Sequence, residues 1–89
     1  MKKKATWVKI FHTYKRIEDL RSNQNVTILE NIDRNFKELN LAIRKEFRNW
    51  NGTGVIIISS ISAGPFDSDE KWGEKMSLKF KNKNIKFNN

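Results

Sequence analysis

The 89-residue chain has no cysteine, one proline, one histidine and four glycines, and only ten acidic residues against eighteen basic ones. Without cysteine there are no disulfides, thiolate metal sites or thiol nucleophiles. That absence fits a reducing compartment, so the expected location is the cytoplasm, or a host's cytoplasm were the chain encoded by a phage. A single histidine leaves no imidazole pair, and no carboxylate pair or metal cluster compensates for it. His12 reads as a strand residue, and the chain is expected to be non-enzymatic, with no cofactor and no metal. No apolar run is long enough to span a bilayer. Lys2-Lys3-Lys4 ahead of Trp7-Val8 imitates a secretory leader, but Lys9 and His12 interrupt the apolar stretch such a leader needs. No membrane partner is expected. Two further resemblances fail on their surroundings. Asp67-Ser68-Asp69-Glu70 lacks the glycine and the spaced bidentate glutamate of a calcium loop. Gly52-Thr53-Gly54 precedes a strand, unlike phosphate-binding glycine motifs.

What the chain does have is large apolar side chains, including three tryptophans and six phenylalanines. These are enough to fill the one core that a chain this short can build. A single basic domain over residues 1–89 is expected, with flexible ends at 1–4 and 88–89. Alternation over Thr6 to Lys15 predicts a strand, with Thr6, Val8, Ile10, His12 and Tyr14 on one face and Trp7, Lys9, Phe11 and Thr13 on the other. Because both faces are partly apolar, this strand is expected to be covered on two sides, by a helix and by a loop or partner chain. Arg16 to Asn25 predicts a helical turn followed by a Ser22–Asn25 loop. Thr27 and Glu30 have capping-box spacing, and Leu29, Ile32, Phe36, Leu39, Ile43, Phe47 and Trp50 recur at three and four. Together they predict one long amphipathic helix from about Ile28 to Trp50, stopped at Asn51-Gly52 and supported by Glu30/Arg34, Asp33/Lys37 and Arg34/Glu38 pairs. Gly54 to Ser62 predicts a central strand ended by Ala63-Gly64-Pro65, and Phe66 to Glu74 an exposed acidic loop. Beyond it, Met76, Leu78 and Phe80 conflict in parity with Ile85 and Phe87, which predicts a hairpin turning at Asn82-Lys83. The expected fold is therefore α+β: three or four antiparallel or mixed strands, in chain order β-α-β-β-β, with the long helix on one face.

The net charge of +8 favours polyanions, although lysine-rich composition also follows from AT-rich coding. The last fifteen residues hold five lysines and no acid. In the expected hairpin, Lys79, Lys81, Lys83 and Lys86 form a phosphate-contacting patch, assisted by Arg44, Lys45 and Arg48 near the helix end, with Trp7, Tyr14 and Trp72 as candidate exposed aromatics. The first functional expectation is thus a non-enzymatic nucleic-acid-binding protein, with RNA favoured over DNA. The second is a phage or mobile-element inhibitor or adaptor whose basic surface occupies a host nuclease, toxin or defence protein, with or without RNA. The third is a small toxin-type ribonuclease built on His12, Tyr14 and Arg48. A homodimer is also expected, because added burial helps a small domain.

Overall fold

The computed structural model describes residues 4–15, 23–48 and 54–87. Its first two elements, β1 (Lys4–Lys15) and β2 (Asn23–Asp33), form a long antiparallel hairpin paired from Lys4–Asp33 to Tyr14–Asn23. Alternation then works as expected along most of β1. Val8, Ile10 and His12 are buried, while Lys9 is exposed and Trp7 and Phe11 are half-buried on the opposite face. After β2 come α1 (Phe36–Phe47), β3 (Gly54–Gly64), α2 (Asp67–Phe80) and β4 (Asn84–Phe87). The four strands lie in the order β2-β1-β3-β4, with every neighbouring pair antiparallel. The α+β class and antiparallel sheet agree with the sequence reading, and β3 is central as expected.

The chain order differs from that reading, being β-β-α-β-α-β. The predicted long helix is the first correction. Residues 28–33 extend β2, and α1 starts only at Phe36. Leu29 and Ile32 fit a helical stripe by spacing, but Val26-Thr27-Ile28 is β-branched and finds a ready ladder along Ile10 and Phe11. Asn35 is the N-cap of α1, its side chain accepting the Glu38 amide proton at 3.2 Å. Thr27 makes a strand contact instead, its hydroxyl 2.7 Å from His12 Nε2. Nor do the expected helix pairs involving Glu30, Asp33 and Arg34 form on one helix, because Glu30 and Asp33 belong to β2 and Arg34 precedes α1. Arg34 reaches the buried Asp69 of α2, with Nε 3.4 Å from Oδ1.

The second correction concerns residues 66–80. The expected acidic loop is the start of α2, where Asp67, Asp69 and Glu70 complement the positive end of the helix dipole. Asp69 also accepts the Phe66 amide proton at 3.3 Å. The predicted C-terminal hairpin does not form. Met76 and Phe80 are core residues one helical turn apart, and Leu78 points to solvent. Ile85 enters the core from β4, so a helix-to-strand junction resolves the parity conflict that a turn at Asn82-Lys83 was expected to resolve. Of the predicted turn at Arg16–Asn25, Asn23–Asn25 belong to β2 and the rest lies outside the described residues. Trp50, the Asn51-Gly52 stop and the ends at 1–3 and 88–89 also lie outside them, whereas Lys4 begins β1.

A bulge in β3 sets which of its apolar residues face the core. The pairing with β1 steps from Phe11–Ser60 to His12–Ile58, leaving Ser59 as the extra residue, and its hydroxyl donates to the Phe11 carbonyl at 2.9 Å. The shift lets Ile56 and Ile58 face inward before it, and Ile61 and Ala63 after it. Both helices cover this one face. Leu39, Ile43 and Phe47 of α1 and Met76 and Phe80 of α2 join Val8, Ile10, Ile56, Ile58 and Ile85 in a single core. Each large side chain so buried contributes roughly 1.5–3 kcal/mol.

β4 pairs only with Gly54–Ile57. Alongside the remainder of β3 lies α2, where the Ile61 amide donates to Ser77 Oγ at 3.3 Å and Gly73 abuts the backbone of Ser62 and Ala63. The helix thus shields a stretch of strand that β4 leaves unpaired.

Candidate nucleic-acid interface

With both helices on one side, the opposite face of the sheet is bare among the described residues. The register defines its rows. Glu30, Trp7 and Gly64 lie abreast, followed by Ile28, Lys9 and Ser62, then Val26, Phe11 and Ser60. Next come Gln24, Thr13, Ile57 and Asn84, and finally Lys15, Val55 and Lys86. Val26, Ile28 and Ile57 are 51%, 55% and 37% exposed, a high fraction for aliphatic side chains standing together on one surface.

β1 runs through the middle and presents Trp7, Lys9 and Phe11 at successive outward positions. The Trp7 ring lies across Gly64, where a β-carbon would collide with the indole. Lys9 Nζ sits 5.3 Å from the Trp7 ring centroid, within cation-π range. Beside Trp7 is a shallow depression lined by Ser62, Gly64, Pro65, Phe66 and Glu70. Lys9, Lys15 and Lys86 share this face with Glu30, the Lys4–Asp33 pair stands at its end beside the inward Ala5–Ile32 pair, and Glu70 borders it at the depression.

The residues singled out from sequence fall in several places. Lys86 stands on the bare face through its pairing with Val55. Lys79 and Lys83 instead bracket Phe36 at the start of α1, their ammonium groups 5.1 and 4.6 Å from its ring centroid. Lys81 follows the end of α2 and is exposed. Arg44, Lys45 and Arg48 lie eight to twelve residues beyond Phe36, which is about 12–18 Å of helix. The lysines around Phe36 and the basic end of α1 are therefore separate surfaces. Of the three candidate aromatics only Trp7 is on the bare face. Tyr14 and Trp72 pack against the core.

His12 is fully buried, with its ring 4.7 Å from Phe47, and burial lowers its pKa from the usual 6.5. Both it and Tyr14 lie on the helix-covered face, while Arg48 is at the exposed C-cap of α1. Among the described residues, no group of three or more histidines and carboxylates is placed to hold a metal ion, and no helix is long and apolar enough to cross a membrane. Sequence reasoning singled out none of Lys9, Phe11 and Lys15 as site residues, although the parity they share with Trp7 was the available signal.

No protein-family model matches the chain, and neither curated proteins nor solved structures yield a match.

Proposed function

We propose that this protein binds nucleic acid, with RNA favoured over DNA, and does so with the bare face of its sheet. The observation that carries the reading is Lys9 standing between Trp7 and Phe11 at the centre of that face, with Lys15 and Lys86 beyond them. Such a surface supplies cations for phosphates and rings for bases on a rigid platform. By contrast, the helical layer mixes its lysines and arginines with Glu38, Glu46, Asp67, Glu70 and Glu74. The contribution of Lys79, Lys81, Lys83, Arg44, Lys45 and Arg48 is long-range attraction, with Lys86 alone of the sequence-predicted cations in direct contact.

The test is a gel-shift titration of RNA and DNA at low and moderate salt, comparing two double charge reversals. Lys9→Glu with Lys86→Glu and Lys79→Glu with Lys83→Glu change the net charge equally. Retention that falls with salt, and is lost in the first pair but largely kept in the second, is the expected result. Absence of retention at low salt refutes the reading.

A second reading is favoured by the aliphatic character of Val26, Ile28 and Ile57: a protein-directed inhibitor or adaptor that seats a host protein on the same face. A stoichiometric protein partner recovered from host lysate after nuclease treatment, by wild type but not by Ile28→Glu, separates it from the first.

A further inference from the structure

Resting on the nucleic-acid reading, we infer that the bare sheet face takes an unpaired, splayed strand rather than a duplex, with Trp7 and Phe11 as separate base-stacking positions and Lys9 reading the phosphate between them. The bare face is built of strands alone, with both helices on its other side, so it offers no helix to a major groove, and a four-stranded sheet is broader than the two-stranded ribbon that a groove about 12 Å wide admits. Rings at the middle of a sheet face reach base faces only where the bases are unstacked. Trp7 and Phe11 are four residues apart on one strand, which is about 13 Å. Neighbouring bases of a duplex strand rise about 3.4 Å, so two adjacent stacked bases cannot occupy both rings. A strand spread across β1 can, and its backbone then passes Lys9.

The Trp7 position has a second wall. The depression beside it ends at Phe66, which is half-exposed, and at Glu70, whose carboxylate can accept from an exocyclic amino group. The same face suits a second copy of this chain poorly. In a two-fold pairing through its centre, Lys9 and Lys15 of each copy meet a face of identical charge, and two chains of +8 are brought together.

Fluorescence anisotropy with labelled single-stranded RNA, single-stranded DNA and the matching duplexes tests the inference, with light scattering on the same samples. The expected result is tighter binding of single strands of either sugar than of duplex. Phe11→Leu, which keeps bulk but removes the ring, is expected to weaken single-strand binding about tenfold, whereas Phe11→Tyr retains it. Trp7→Phe keeps a ring over Gly64 and retains most of the affinity, and Trp7→Leu loses it. Far-ultraviolet circular dichroism and urea midpoints establish that each variant folds. Equal binding of duplex and single strand, or an unchanged affinity in folded Phe11→Leu, overturns the unpaired-strand inference while leaving nucleic-acid binding intact. No binding to any of the four probes overturns both, and a dimeric mass that Ile28→Glu dissolves then assigns the face to a second copy.

Discussion

Gly73→Ala sets two effects of known sign against each other at the contact between α2 and β3. In a helix interior the change favours folding by about 1 kcal/mol. Here, however, an added β-carbon lies 2.9 Å from the Ala63 nitrogen and 3.3 Å from Cα and the carbonyl carbon of Ser62. All three obstacles are backbone atoms of β3, a strand held by β1 along its length, so no side-chain rotation relieves them. α2 must lift, and it carries Met76 and Phe80 out of the core as it does. Overpacking of this kind costs about 1–3 kcal/mol, and a backbone obstacle puts it in the upper half of that range. The net expectation is a loss of about 1–2 kcal/mol, or roughly 4–16 °C in Tm for a domain of this size. Urea unfolding followed by tryptophan fluorescence measures it, with an unchanged slope confirming that the native state alone is affected. Leu78→Ala, at a side chain 77% exposed, is the control and is expected to shift stability by less than about 0.5 kcal/mol. A Gly73→Ala protein as stable as wild type, or more so, would refute the close approach of helix to strand.

His12 supplies a pH dependence. Its folded pKa lies below 6.5 because burial penalises the imidazolium, so the unfolded chain binds more protons as pH falls. Its contribution is complete above the unfolded value and is lost as pH falls through the folded one. Urea midpoints should therefore drop between about pH 7.5 and about pH 5.5, by no more than about 1.4 kcal/mol per pH unit, and His12→Gln should flatten the profile. Asn35→Ala removes the cap of α1 and is expected to cost about 1 kcal/mol, which thermal unfolding by circular dichroism resolves; no change would place the start of α1 elsewhere. Deleting Ser59 removes the extra residue of the bulge while leaving Ile56, Ile58, Ile61 and Ala63 on the inner face. The shortened protein should fold, losing about 1–2 kcal/mol with the Ser59–Phe11 hydrogen bond and local strain, whereas complete loss of cooperative unfolding contradicts the register.

β1 was legible because its period of two extends over most of an element and its residues favour strands. The second half of the predicted helix was equally clear, since Leu39, Ile43 and Phe47 have no competing pattern. The first half was not. Leu29, Ile32 and Phe36 satisfy a helical spacing by coincidence, and the left-handed backbone at Asn31, φ 53°, changes which way β2 faces. Near it the alternation slips, with Ala5 buried and Thr6 exposed opposite that kink. α2 was hidden because an acidic cluster reads as loop. In fact the acids stabilise the helix start, and Gly73 is needed for contact with β3. The parity conflict between Met76–Phe80 and Ile85–Phe87 was a real signal, but a turn and a change of secondary structure relieve it equally well. For the site, the parity shared by Trp7, Lys9 and Phe11 was visible. That their face lacks a covering layer depends on both helices choosing the other side, a tertiary fact no local pattern contains.

The way α2 shields β3 makes the two borders of the sheet unequal. On one side the border is the four-residue β4 and then a helix; on the other it is the eleven-residue β2, with no strand beyond it among the described residues. Backbone pairing between molecules therefore has one long seam available, not two. Two copies joined along β2 would exhaust it, so growth by strand addition ends at a pair, and the asymmetry of the fold works against fibre formation despite the exposed Val26 and Ile28.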